Sequence, residues 1–86
     1  MNQEQLTNLL YEALETEQGG IKIYETAVSA AVNEDLKEEW EEYLGQTRNH
    51  EAILRDVFEA FSLDLSKETP GRQVVRQIGE TLVAAM

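Results

Sequence analysis

A chain with one histidine and no cysteine has few ways to do chemistry, so its single imidazole, His50, is the first place to look. An imidazole beside a carboxylate can hold a transition metal or move a proton. Carboxylates are abundant, with 17 Asp and Glu against 7 Lys and Arg, but most fall on polar helix faces. Glu17 does not. It belongs to an apolar row, Leu10, Glu17, Tyr24 and Ala31, repeated every seven residues, with Leu6, Ala13, Gly20 and Ala27 as a companion row. That is the seam of a bundle helix. Further on, Leu36, Tyr43, His50 and Val57 form one row, and Trp40, Thr47, Leu54 and Phe61 the other. His50 and Thr47 are therefore expected to face a core, as is Glu17.

The elements that must position these groups read as helices throughout. No stretch alternates polar and apolar residues over a strand's length, and one proline, Pro70, interrupts the sequence. The fold class is all-α, with helices over about residues 3–32, 34–61 and 70–86. Asn2 can cap the first helix, with Gln5 completing a capping box. Asn33 is the break, either closing the first helix or capping the second, whose acidic first turn, Glu34 and Asp35, suits the positive end of the dipole. Thr69 followed by Pro70 is a cap followed by a residue favoured at the first helical position. The third helix then has an apolar face of Val74, Val75, Ile78, Leu82 and Val83. A link of a single Asn forces the first two helices into a long antiparallel hairpin. Glu17 and His50 each lie roughly 24 to 26 Å from the turn at about 1.5 Å per residue, so they reach one level. The same count sets Tyr24 beside Tyr43.

At 86 residues and 9.8 kDa the chain is one small domain. A net charge of −10 and a pI near 4.3 argue against nucleic acid and anionic membranes as partners. The lack of cysteine excludes disulfides, thiolate metal sites and thiol catalysis. Neither an export signal nor a membrane-length apolar run is present, and a cytoplasmic location is the expectation.

A helix of thirty residues is about 45 Å long, whereas a compact globule of this length is roughly 31 Å across. Two such helices and a short third cannot enclose the aromatic and aliphatic seam, and dimerisation into a four-helix bundle is the expected remedy. The closing Leu82-Val83-Ala84-Ala85-Met86 carries no capping glycine and no basic last turn, which suggests half of a longer protein. A homodimer brings together two Glu17 and two His50. Two functions fit: a transition-metal site, zinc or iron, or a structural module in which a buried Glu17–His50 pair fixes the register of the seam. Gly19-Gly20, which costs about 2 kcal/mol relative to alanines, points to a close helix contact, to room beside Glu17, or to a local irregularity.

Glu17 with Tyr24 seven positions on, then His50 at the matching depth of the second helix, resembles the N-terminal half of ferritin-like proteins of the rubrerythrin type. The runs Glu17-Gln-Gly-Gly20, Tyr43-Leu-Gly-Gln-Thr-Arg-Asn-His50 and Glu68-Thr-Pro-Gly-Arg-Gln-Val-Val75 resemble a bacterial branch of that superfamily. The resemblance implies Glu17 and His50 as metal ligands, Tyr24 as a nearby hydroxyl, iron oxidation as the family's activity, and a second helical pair to complete the bundle. The sequence departs from the family at Thr47, where the glutamate of the Glu-x-x-His motif should stand. A mononuclear zinc or iron site, rather than a dinuclear one, is the corresponding expectation, since two adjacent ions need bridging anions.

Overall fold

Asn2 accepts the Gln5 backbone N–H at 2.8 Å while its own N–H donates to Gln5 Oε1 at 3.0 Å, and this reciprocal cap starts the first helix. The computed structural model describes residues 1–86 as three helices with no strand: α1 (Gln3–Ala30), α2 (Glu34–Ala60) and α3 (Pro70–Ala85). Asn33 caps α2, accepting Leu36 N–H at 3.1 Å, and Thr69 caps α3, accepting Arg72 N–H at 3.1 Å. The first link is longer than one Asn, because α1 stops at Ala30 and residues 31–33 are extended or bent. Val32 stands wholly in solvent there. At the far end of α2, Ser62 takes a left-handed φ of 56° and Leu63 N–H reaches back to Phe58 O at 2.8 Å, a helix stop usually built on glycine.

The hairpin is antiparallel. Tyr11 meets Phe58, Glu17 meets His50, Gly20 meets Thr47 and Tyr24 meets Tyr43, so residue numbers rise along α1 as they fall along α2. The core sits at one end of this hairpin rather than along its length. Tyr11, Leu14 and Phe58 are each almost fully buried, with Leu10, Leu54, Leu63 and Leu65 packed around them. Tyr11 and Phe58 meet edge to face at 5.0 Å, and the Tyr11 hydroxyl donates to Asp64 O at 2.7 Å, pinning the connector between α2 and α3. The seam read from heptad rows is thus rotated. Leu6 and Phe61, expected inside, are 44% and 59% exposed, while Tyr11, Leu14 and Phe58 take the centre.

α3 departs most from expectation. Val74, Ile78 and Leu82 are 59%, 57% and 50% exposed, whereas Arg72 on the same helix is buried. α3 packs only on α1, and no contact joins it to α2. The reason lies in what α1 offers on that side: Glu15 and Gly19 are there instead of large apolar side chains, and Gly79 comes close enough that a Cβ on it would lie 3.8 Å from Gly19 Cα. Gly20 faces the other neighbour, with space for a Cβ only 3.1 Å from Thr47 Cγ2. The glycine pair is therefore a two-sided close contact within a regular helix.

The molecule measures 46 × 24 × 21 Å with a radius of gyration of 14.5 Å, against about 12 Å for a compact chain of this length. No helix is long and apolar enough to cross a membrane.

Candidate functional site

Glu17 and His50 come together as the helical count requires. His50 Nδ1 lies 3.7 Å from Glu17 Oε2, too far for a hydrogen bond and close enough for an ion pair when the imidazole is protonated. The pair is not buried in the single chain. The Glu17 side chain is 27% exposed and that of His50 is 58% exposed, so the imidazole expected inside the seam stands at its rim, facing outward. His50 is displaced because α2 is turned so that Leu44 and Phe58, each one position on from the row of Tyr43, His50 and Val57, face inward beside Thr47.

Two ligands bound 2.0–2.1 Å from one tetrahedral ion lie about 3.3 Å apart. The observed 3.7 Å between Nδ1 and Oε2 is close to that spacing, and the donors can meet it with a small side-chain rotation. A single chain gathers no group of three or more His, Asp or Glu side chains suited to a metal. The two donors that are present fit half of a tetrahedral zinc or iron shell.

Thr47, expected beside this pair, is buried, but its hydroxyl donates to Tyr43 O at 2.8 Å, the ordinary back-bond of a helical threonine. Tyr24 stacks into an aromatic layer with Trp40 and Tyr43, all three ring pairs 5.9 Å between centroids. No hydrogen bond joins Tyr24 or Thr47 to Glu17 or His50. The Tyr43 hydroxyl instead donates to Glu39 Oε1 at 3.0 Å; this hydrogen bond and the glutamate's charge hold the phenol above its ordinary pKa.

Searches against protein-family models, curated proteins and solved structures found no match.

A second polar centre, which the heptad rows did not reveal, lies on the other side of α1. Arg72 engages all three guanidinium nitrogens and four of its five N–H donors: Nε donates to Glu15 Oε1 at 2.9 Å, Nη1 to Leu65 O at 2.7 Å and Lys67 O at 3.0 Å, and Nη2 to Gln18 Oε1 at 3.2 Å. Its guanidinium also stands 5.7 Å from the centroid of the Tyr11 ring. Arg76 adds Nη2 to Glu15 Oε1 at 3.0 Å and to Glu68 Oε1 at 2.7 Å. Burial pushes the Glu15 carboxyl up, but the hydrogen bonds and charges of Arg76 and Arg72 outweigh it and hold the group below its ordinary value. Arg76 is raised by Glu15 and Glu68. No buried side-chain donor or acceptor is left without a partner. The signal available in the sequence was the adjacency of Glu15 to Leu14 and its spacing of four from Tyr11, which places the acid at the edge of the core.

Proposed function

We propose that two copies of this chain associate, open hairpin face to open hairpin face, into a homodimeric four-helix bundle of the ferritin-like kind, and that Glu17 and His50 of both copies hold one transition-metal ion, zinc or iron. The observation that carries the reading is the 3.7 Å approach of an imidazole nitrogen and a carboxylate oxygen on an unpartnered flank of the hairpin. The surroundings of that flank support it. Leu6, Leu10 and Phe61 line one open cleft, and by helical spacing Leu6 and Leu10 share their side of α1 with Glu17, and Phe61 its side of α2 with His50. Exposed apolar clusters of this kind mark association surfaces. Two copies supply two imidazoles and two carboxylates, a full tetrahedral set for zinc and an adequate one for iron(II). When bound, the ion would supply Lewis acidity or one-electron chemistry. With Thr47 in place of a bridging carboxylate, binding rather than oxidation of iron is the function put forward.

A second reading is favoured by the same distance: Glu17 and protonated His50 can pair with no metal and set the register of a purely structural dimer. Metal analysis of protein purified without chelator, paired with light scattering, separates the two. The metal reading expects about one ion per two chains, lost in His50→Ala. A dimer with negligible metal in both proteins leaves the structural reading, and a monomer at micromolar concentration overturns both.

A further inference from the structure

α2 and α3 both lie against α1 without packing on each other, and the open trough between them has a volume of about 410 Å³, within the roughly 300–1,000 Å³ typical of small-molecule sites. Its lining is unusual for so acidic a chain. Of the 7 basic residues in the sequence, Lys22, Arg55, Arg72 and Arg76 all border this trough. Three acids, Glu15, Glu25 and Glu51, line it as well, and each has a cation of its own: Glu15 holds Arg72 and Arg76, Glu51 holds Arg55 at 2.7 Å, and Glu25 lies 3.9 Å from Arg48. The lining itself holds four cations and three anions, and Glu68, 2.7 Å from Arg76, brings the trough to neutrality on a chain that carries −10.

The two arginine donors are held in place. Glu15 and Glu68 fix Nε and Nη2 of Arg76, which leaves Nη1 free of any partner. Glu51 engages only Nε of Arg55, so both of its terminal nitrogens are unused. Lys22 is exposed, and its ammonium group makes neither a hydrogen bond nor an ion pair. Arg72 is largely engaged by the fold, with four of its five N–H donors used, and it holds the floor rigid through Glu15 and Gln18. Preorganised cations with spare N–H groups around a polar hollow are the chemistry of oxyanion recognition.

We propose that this trough binds a small oxyanion, a phosphate or carboxylate group, through Lys22, Arg55 and Arg76. The site lies on the α1 stripe of Glu15, Gln18, Lys22 and Glu25, apart from the row of Glu17 and Tyr24, and it stands whether or not the chain dimerises. The distributed negative charge of the rest of the surface is screened beyond about 8–10 Å at ordinary salt.

The test is a titration of the full chain with inorganic phosphate and with succinate, followed by backbone amide NMR and calorimetry, with chloride at matched ionic strength as reference. Saturable binding with a Kd of about 1 mM or tighter is expected, with shifts centred on Lys22, Arg55 and Arg76. Lys22→Glu, which disturbs no contact of the fold, should weaken it about tenfold or more. A response to phosphate alone assigns a phosphate-bearing ligand, and one to succinate alone a carboxylate. Absence of saturation with both anions, equal affinity in Lys22→Glu, or shifts spread equally over Lys37 and Lys67 would each overturn the proposal.

Discussion

Glu15 on α1 and Arg72 on α3, 57 residues apart in sequence, meet at 2.9 Å with both side chains more than nine-tenths buried. Two charges taken out of water carry a desolvation cost that hydrogen bonding must offset, and here every nitrogen of the guanidinium has a partner. The contact that docks α3 is thus ionic, while the helix's own apolar stripe of Val74, Ile78 and Leu82 faces solvent.

Removing one partner of such a pair leaves the other buried and unpaired. Glu15→Ala should lower the stability of the fold by about 3–5 kcal/mol, read by urea unfolding followed by circular dichroism. A loss under about 1 kcal/mol would show that α3 is held by something else.

Acid should act through the same carboxyl. Glu15 has its folded pKa depressed below the ordinary 4.5, so its contribution is fully present above that value and is lost as pH falls through the lower, folded one. Glu51, depressed chiefly by its hydrogen bond from Arg55, adds in the same direction. Unfolding free energy should be flat from neutrality down to about pH 5 and fall below it. Glu15→Gln should make that acid limb shallower, and an unchanged limb would assign the loss to other carboxylates.

Phe58 and Phe61 are one helical turn apart and differ in kind. Phe58 is fully buried and Phe61 is 59% exposed. Phe58→Ala should cost about 3–5 kcal/mol at any concentration. Phe61→Ala should cost under about 1 kcal/mol in dilute monomer and more as concentration rises, because the open face buries it in the proposed dimer. Thermal melts over a hundredfold range of concentration distinguish them; a concentration-independent Phe61 effect argues against this face as the interface.

Ser62 holds a left-handed φ of 56° in the stop that ends α2. A residue with a Cβ is strained there by roughly 1–2 kcal/mol, a cost glycine avoids. Ser62→Gly should therefore raise the midpoint of thermal unfolding, by about 1 kcal/mol in free energy after the extra chain entropy of glycine is subtracted. A lowered midpoint would mean that the hydroxyl contributes more than the strain removes.

Helix count, caps and register were all legible from residue order, because they depend on local chemistry and on 1.5 Å per residue. Asn2 with Gln5, Asn33, and Thr69 with Pro70 start the helices where their side chains can accept free N–H groups. Counting from the turn brought Glu17 to His50 and Tyr24 to Tyr43. Which side of each helix turns inward was not legible. A heptad row and its neighbour differ by one angular step of about 100°, and both α1 rows are apolar enough to serve. Tyr11, Leu14 and Phe58 won the centre because the connector folds over them, with Asp64 O accepting the Tyr11 hydroxyl and Leu63 and Leu65 closing the cluster. That rotation carried His50 to the rim. Likewise, nothing in the amphipathic pattern of α3 showed that its charged edge would bind, since pairing Arg72 with Glu15 needs two distant segments in place before either charge has a partner. Local hydrogen bonding and periodicity are written residue by residue, whereas burial of a charge is decided only when the whole chain has closed around it.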